Sequence, residues 1–246
     1  MFSYKDYQNI INLIKISGKV ENFYTAKNKN KFIIMRHDVE FSVERAYQLA
    51  LVEANEDFHS TYFFQLTNNA YNLLSKRNLT LIHEIAHLGH CIGLHFHPNG
   101  LTDLTHICSE IEKQINILNQ MLPIKIDTFS IHRPSKEILR ANLKLPFAIN
   151  AYQNDYFSFI EDLNIATPTV CYLSDSRHHW NYGLTPSAEL FKNHDKIQIL
   201  THPYSWTPDG FDNLNNFRSL IAENSKTFMH TIDQECTHFK EVKDAL

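Results

Sequence analysis

No stretch of this 246-residue chain approaches the ~18 consecutive apolar residues that a transmembrane helix requires. The first residues, MFSYKDYQNIINLIKISGK, lack the apolar core and small-residue cleavage site of a signal peptide, so a cytoplasmic location is expected. The chain has six glycines and no G-x-G-x-x-G turn, which argues against a dinucleotide-binding doubly wound sheet. Neither a Pro/Gly-rich linker, an internal repeat nor a low-complexity segment divides it, so a single domain over residues 1–246 is expected. Cys91, Cys108, Cys171 and Cys236 are far apart without C-x-x-C spacing. That excludes a zinc ribbon and a disulfide framework and leaves buried free thiols. Positive charge is also in short supply: 23 Lys and Arg stand against 27 Asp and Glu, a net charge of -4. Broad electrostatic binding to nucleic acid or a membrane surface is therefore not expected.

What remains is a globular composition with 43% hydrophobic residues and a rich supply of histidine, fifteen in all. Ser3 caps a first helix that Gly18 ends, so residues 1–20 read as an N-terminal helix packed on the rest. Asn22 to Lys31 is a polar connection. Strand-like runs then follow at Phe32–His37, Ser60–Leu66, Ile92–His97, Thr128–His132, Phe147–Ala151, Val170–Leu173 and Ile197–Thr201. Helical patterns lie between most of them: Val43–Asn55 behind the cap Ser42, then Leu79–Leu88, Leu104–Leu122, Thr185–Phe191 and Leu214–Phe228. Strands alternating with helices imply a parallel sheet, and seven of them can close as a barrel.

The polar residues are not scattered over these runs. FIIMRHDVE places four ionisable groups within five residues at the end of an apolar strand. The third run ends in His95, His97 and Asn99, and the fourth in His132 and Arg133. The run through Cys171 ends in Asp175, Arg177, His178, His179 and Trp180, and the last in His202, Tyr204 and Trp206. In a parallel barrel all C-terminal strand ends open on one face, where active sites are built. Five segments then converge on one pocket. Asp38 with Glu40, and His95 with His97, are two apart and share a strand face. Imidazoles and carboxylates converging in a cleft suit zinc or another divalent transition metal. A metal that lowers the pKa of bound water, a free carboxylate and an opposing histidine are the equipment of amide or ester hydrolysis.

These segments resemble the motifs of the polysaccharide deacetylase superfamily, the NodB-homology fold, in the family's order. FIIMRHDVE is similar to its first motif, with Asp-x-acid in place of adjacent aspartates. GHCIGLHFHPN, SIHRP, SDSRHHW and LTHP resemble the later ones. The RHDV start and the SDS…W segment are similar to a divergent branch, the WbmS-like group. The resemblance implies a distorted (β/α)7 barrel and zinc-dependent removal of an acetyl or formyl group from an amino sugar in bacterial surface-glycan biosynthesis. It implies Asp38 as catalytic base, Arg133 as the group orienting it, and His202 as general acid. Glu40 and His95 become metal ligands. The family's second histidine ligand lies four residues after the first, where this chain has Asn99, and His97 is the substitute nearest in sequence. His132, Asp175, Trp180 and Trp206 are candidates for contacting an amino-sugar or glycan substrate, although the two tryptophans serve equally as packing.

Two other readings fit the residues. HFHPN resembles the His-x-His of amidohydrolases and histidinol-phosphatase-like phosphoesterases, and metal stoichiometry separates that class from a one-ion deacetylase. A barrel with Asn99 in a ligand position could also bind glycan without turnover. His83, His87 and His90 read as surface residues on or near a helix.

Overall fold

Phe32 to Val39 is buried along its whole length, as a strand covered on both faces must be. The computed structural model describes residues 1–158, 169–181 and 183–243. The strands are β1 (Val20–Glu21), β2 (Phe32–Val39), β3 (Thr61–Phe64), β4 (Cys91–Phe96), β5 (Thr128–Ile131), β6 (Ile149–Asn150), β7 (Cys171–Ser174) and β8 (Lys196–Thr201). All pair in parallel, in the order β6-β5-β4-β3-β2-β8-β7, with the short β1 beside β2. The seven predicted strands are all present. The sheet curls into a distorted (β/α)7 barrel, and among the described residues no ladder joins β6 to β7.

Among the described residues, seven α-helices accompany the strands: α1 (Tyr4–Ser17), α2 (Val43–Asn55), α3 (Lys76–His87), α4 (Leu104–Met121), α5 (Lys136–Arg140), α6 (Ala188–Asn193) and α7 (Asn213–Glu235). Ser3 and Asp6 form a reciprocal capping box at the start of α1. Gly18, at φ 65°, ends that helix in the left-handed conformation that glycine adopts without strain. Ser42 caps α2 as the sequence predicts. None of the described helices is long and apolar enough to cross a membrane.

The period-two alternation of β2 distributes its side chains between two environments. Phe32 and Ile34 pack inside with Phe63, Tyr156 and Val170, plugging the lower barrel. Arg36 and Asp38 continue that inward series towards the C-terminal rim. Ile33 and Met35 face the other way, packing with Ile11 and Ile14 of α1 and Leu49 of α2. His37 belongs to this outer layer, where it meets a buried carboxylate. Glu53 of α2 accepts from Tyr7 at 2.6 Å, His37 at 3.0 Å, and Ser60 and Tyr62 at 2.7 Å each. His90 joins this group, buried against Ser60 and the Ala50 carbonyl, so it is not the surface residue its sequence context suggests. Burial works to raise the Glu53 pKa, but His37, His90 and the hydroxyls hold it down at about 2. This cluster ties α1, α2 and β3 to the back of β2.

Candidate active site

Five strand ends build the site. Inward parity delivers Arg36 and Asp38 from β2, and Glu40 follows one residue past the strand. His95 comes from β4, Ser130 from β5 with His132 just beyond it, Asp175 from the end of β7 and His202 from the end of β8. They surround a cavity of about 940 Å³ whose lining includes Asp38, Glu40, His95, His132, His202 and Tyr204.

Three donor atoms converge at its base. Glu40 Oε1 lies 2.9 Å from His132 Nδ1 and 3.9 Å from His95 Nε2, and the two imidazole nitrogens are 3.1 Å apart. Donors each at ~2.1 Å from one ion sit roughly 3.0–3.5 Å from one another, so two of the three spacings match a divalent metal and the 3.9 Å pair would close by a few tenths of an ångström around one. Among the described residues it is the group of three potential ligands whose donor atoms lie close enough to share one ion. The other nitrogen of His95, Nδ1, lies 2.7 Å from Ser130 Oγ, and that hydroxyl donates to Asp38 Oδ1 at 3.0 Å. Since the hydroxyl hydrogen is directed at Asp38, His95 must itself donate from Nδ1. Its Nε2 lone pair is then directed at the Glu40–His132 side, the arrangement a metal ligand needs.

Asp38 is held as an anion. Burial alone raises its pKa, but the Arg36 guanidinium at 3.3 Å, with His95 and His202 nearby, outweighs it and keeps the carboxyl below its ordinary value. Arg36 is itself fully buried, donates to the Tyr152 hydroxyl at 2.6 Å, and lies over the Tyr152 ring at 4.3 Å. Glu40 is depressed further: burial works upward, while the hydrogen bond from His132 and the charge of His202 pull its pKa well down. His202 is held as a cation. Burial disfavours its charge, but Asp175 at 2.6 Å from Nδ1 raises its pKa to about 9. Its Nε2 is left facing the cavity, 3.8 Å from Glu40.

Several sequence expectations find other places. The spacing pairs His95 with His97, but β4 stops at Phe96, and the alternation that would align the two stops with it. His97 instead accepts the Asn99 N–H at 2.9 Å, its ring beside rather than behind that of His132, with centroids 4.6 Å apart. His132, rather than His97, is the second imidazole beside Glu40 and His95. Arg133 is not the partner of Asp38: it lies beyond β5 at φ 45° with its side chain exposed, and Arg36 pairs with Asp38 instead. Asp175 is not placed to touch substrate. It is fully buried and accepts from the His202 backbone, the His202 ring and, at 2.8 Å, the Trp206 indole N–H. Trp206 is 1% exposed between Phe2 and Tyr7, which removes it as a sugar platform. Trp180 packs against the same apolar cluster. Arg36, Ser130 and Tyr152 are the site residues that motif reading does not deliver. For the first two a signal existed: each lies two residues before a site residue.

No family model matches the chain, and no curated protein matches it. Solved structures do. The chain is similar to a CE4 family pseudoenzyme from Bacillus anthracis, at 13% identity over 81% of this chain and 62% of that one, with a TM-score of 0.45. It thus spans less than two thirds of that protein. A peptidoglycan N-acetylglucosamine deacetylase crystallised with a hydroxamate-type benzamide matches at 18% identity over 81% of this chain and 84% of that one, TM-score 0.42. The catalytic domain of a peptidoglycan N-acetylglucosamine deacetylase from Eubacterium rectale matches at 13% identity over 85% and 88%, TM-score 0.43.

Proposed function

We propose that this chain is a metal-dependent hydrolase that removes an N-acyl group, acetyl or formyl, from an amino sugar of a surface glycan or its precursor. One observation carries the reading: a carboxylate held anionic and an imidazole held cationic face one cavity, with three metal-type donor atoms between them. Glu40, His95 and His132 would hold a divalent ion, zinc being the simplest fit, and the ion would supply Lewis acidity towards water and the amide carbonyl. Asp38 accepts the proton of the attacking water, and Arg36 keeps it ionised for that purpose. His202 delivers a proton to the departing amine, and Asp175 fixes its ring so that Nε2 points at the substrate. Tyr152 and Ser130 hold Arg36 and His95 in register with these two groups.

The non-catalytic reading drew on Asn99 at a ligand position. Asn99 is an exposed turn residue at φ 50°, and in this proposal His132 would complete the donor set without it. One three-donor cluster among the described residues also favours a single ion over a two- or three-metal phosphoesterase. The test is acetate or formate release from small N-acyl amino sugars by zinc-loaded protein, with metal counted per chain. Asp38→Asn should bind one ion and lose at least roughly a hundredfold in turnover. Full activity in that variant, or a wild-type chain that takes up no metal, overturns the proposal.

A further inference from the structure

Resting on that hydrolase reading, we propose that the substrate carries an anionic group, a phosphate or a carboxylate, gripped at the mouth of the cavity by Arg133 and Arg177. Arg36, not Arg133, neutralises the catalytic carboxylate, which leaves the Arg133 guanidinium without that role. Both Arg133 and Arg177 are exposed, both line the cavity, and among the described residues neither side chain has an acidic partner. They follow β5 and β7, so both stand at the C-terminal rim of the sheet, where the strand ends open on the cavity.

The acids of the lining are Asp38 and Glu40, and both lie at the base, engaged by Arg36 and His132. Among the described residues the two rim arginines therefore have no acidic countercharge beside them, on a chain whose net charge is negative. Such a rim attracts and retains anions, and guanidinium is the group that pairs with phosphate or carboxylate through two parallel hydrogen bonds. Backbone conformation points the same way. Arg133 at φ 45° and Arg177 at φ 62° occupy a region that side-chain-bearing residues rarely adopt, and such positions cluster at ligand clamps. The cavity is also larger than one amino-sugar ring fills, leaving room for a charged substituent beside it.

Calorimetric titration of the full chain, stripped of metal with chelator, tests this without turnover. The probes are N-acetylglucosamine, N-acetylglucosamine 1-phosphate and N-acetylmuramic acid. At least one anionic sugar should bind about tenfold more tightly than the neutral one, and added salt should erode the advantage. Which of the two binds better identifies the anion as phosphate or carboxylate. Arg133→Ala and Arg177→Ala should each reduce the preference, and the double variant should abolish it while moving neutral-sugar affinity less than about twofold. Arg177→Lys should retain part of it. Equal affinity for charged and neutral sugars, no measurable binding of either anionic sugar, or a preference that survives in the double variant overturns the proposal. Because binding is read on metal-free protein, an anion preference without any acyl release would sink the hydrolase reading and leave this one standing.

Discussion

Replacing Asp175 by Asn should convert His202 from a resident cation into a neutral imidazole at physiological pH. His202 is buried, which by itself would lower its pKa, yet Asp175 raises it to about 9. Against an ordinary value of 6.5 that is about 2.5 pH units, or about 3 kcal/mol at 1.36 kcal/mol per unit. Asparagine keeps the shape. Its carbonyl can still accept the Trp206 indole N–H, and its amide then donates to His202 Nδ1, a bond that favours the neutral ring. The sign follows from linkage. A pKa raised in the folded state adds stability that is fully present below 6.5 and is lost as pH rises through about 9. Chelator-treated wild-type protein should therefore lose about 3 kcal/mol of unfolding free energy between pH 6 and pH 10 relative to Asp175→Asn, read from urea midpoints at each pH. The His202 ring resonance, followed by NMR, should titrate near 9 in the wild type and below 6.5 in the variant. Turnover by the loaded variant should fall on its alkaline side at least two pH units earlier. Unchanged titration of His202 in Asp175→Asn would refute the assignment of Asp175 as the group that charges it.

Removing His132 should cost more metal affinity than the roughly 10–100-fold typical of losing an outer hydrogen-bond partner, whereas His97→Ala should change it little. Competition titration against a zinc-sensitive dye ranks the two, and the opposite order would return His97 to the ligand set. Glu53→Gln should destabilise the fold by about 3–5 kcal/mol, because an amide nitrogen replaces an acceptor for buried hydroxyl and imidazole donors. Metal affinity should survive in that variant, which separates the structural cluster behind β2 from the site in front of it. The depressed Glu53 pKa further predicts stability that is present above 4.5 and drains away as pH falls through about 2. An acid-unfolding profile identical in wild type and Glu53→Gln would contradict that.

Much of the architecture was legible because its signals are local. Ser3, Gly18 and Ser42 mark helix ends through bonds within four residues, and the continuous apolar run into Arg36 announces a strand buried on both faces. The address of the site was legible too, since Asp38, His95, His132 and His202 each end an apolar run. What failed was the extrapolation of strand alternation past a strand end. His97 and Arg133 lie one and two residues beyond β4 and β5, where the backbone has already turned. Packing was one of the two readings of Trp206, but the role of Asp175 was hidden for a different reason: a carboxylate suggests exposure, and only contacts with a segment about thirty residues away satisfy it inside the core.

Ser130 has one hydrogen to give and two neighbours that want it. While Asp38 is ionised the hydroxyl turns towards it, and His95 keeps its proton on the far nitrogen. Without that hydroxyl nothing would fix the hydrogen of His95 on the far side of its ring, and a hydrogen on the near nitrogen would occupy the atom that a cation needs. One small side chain on β5 thus decides which edge of a neighbouring imidazole is open for coordination.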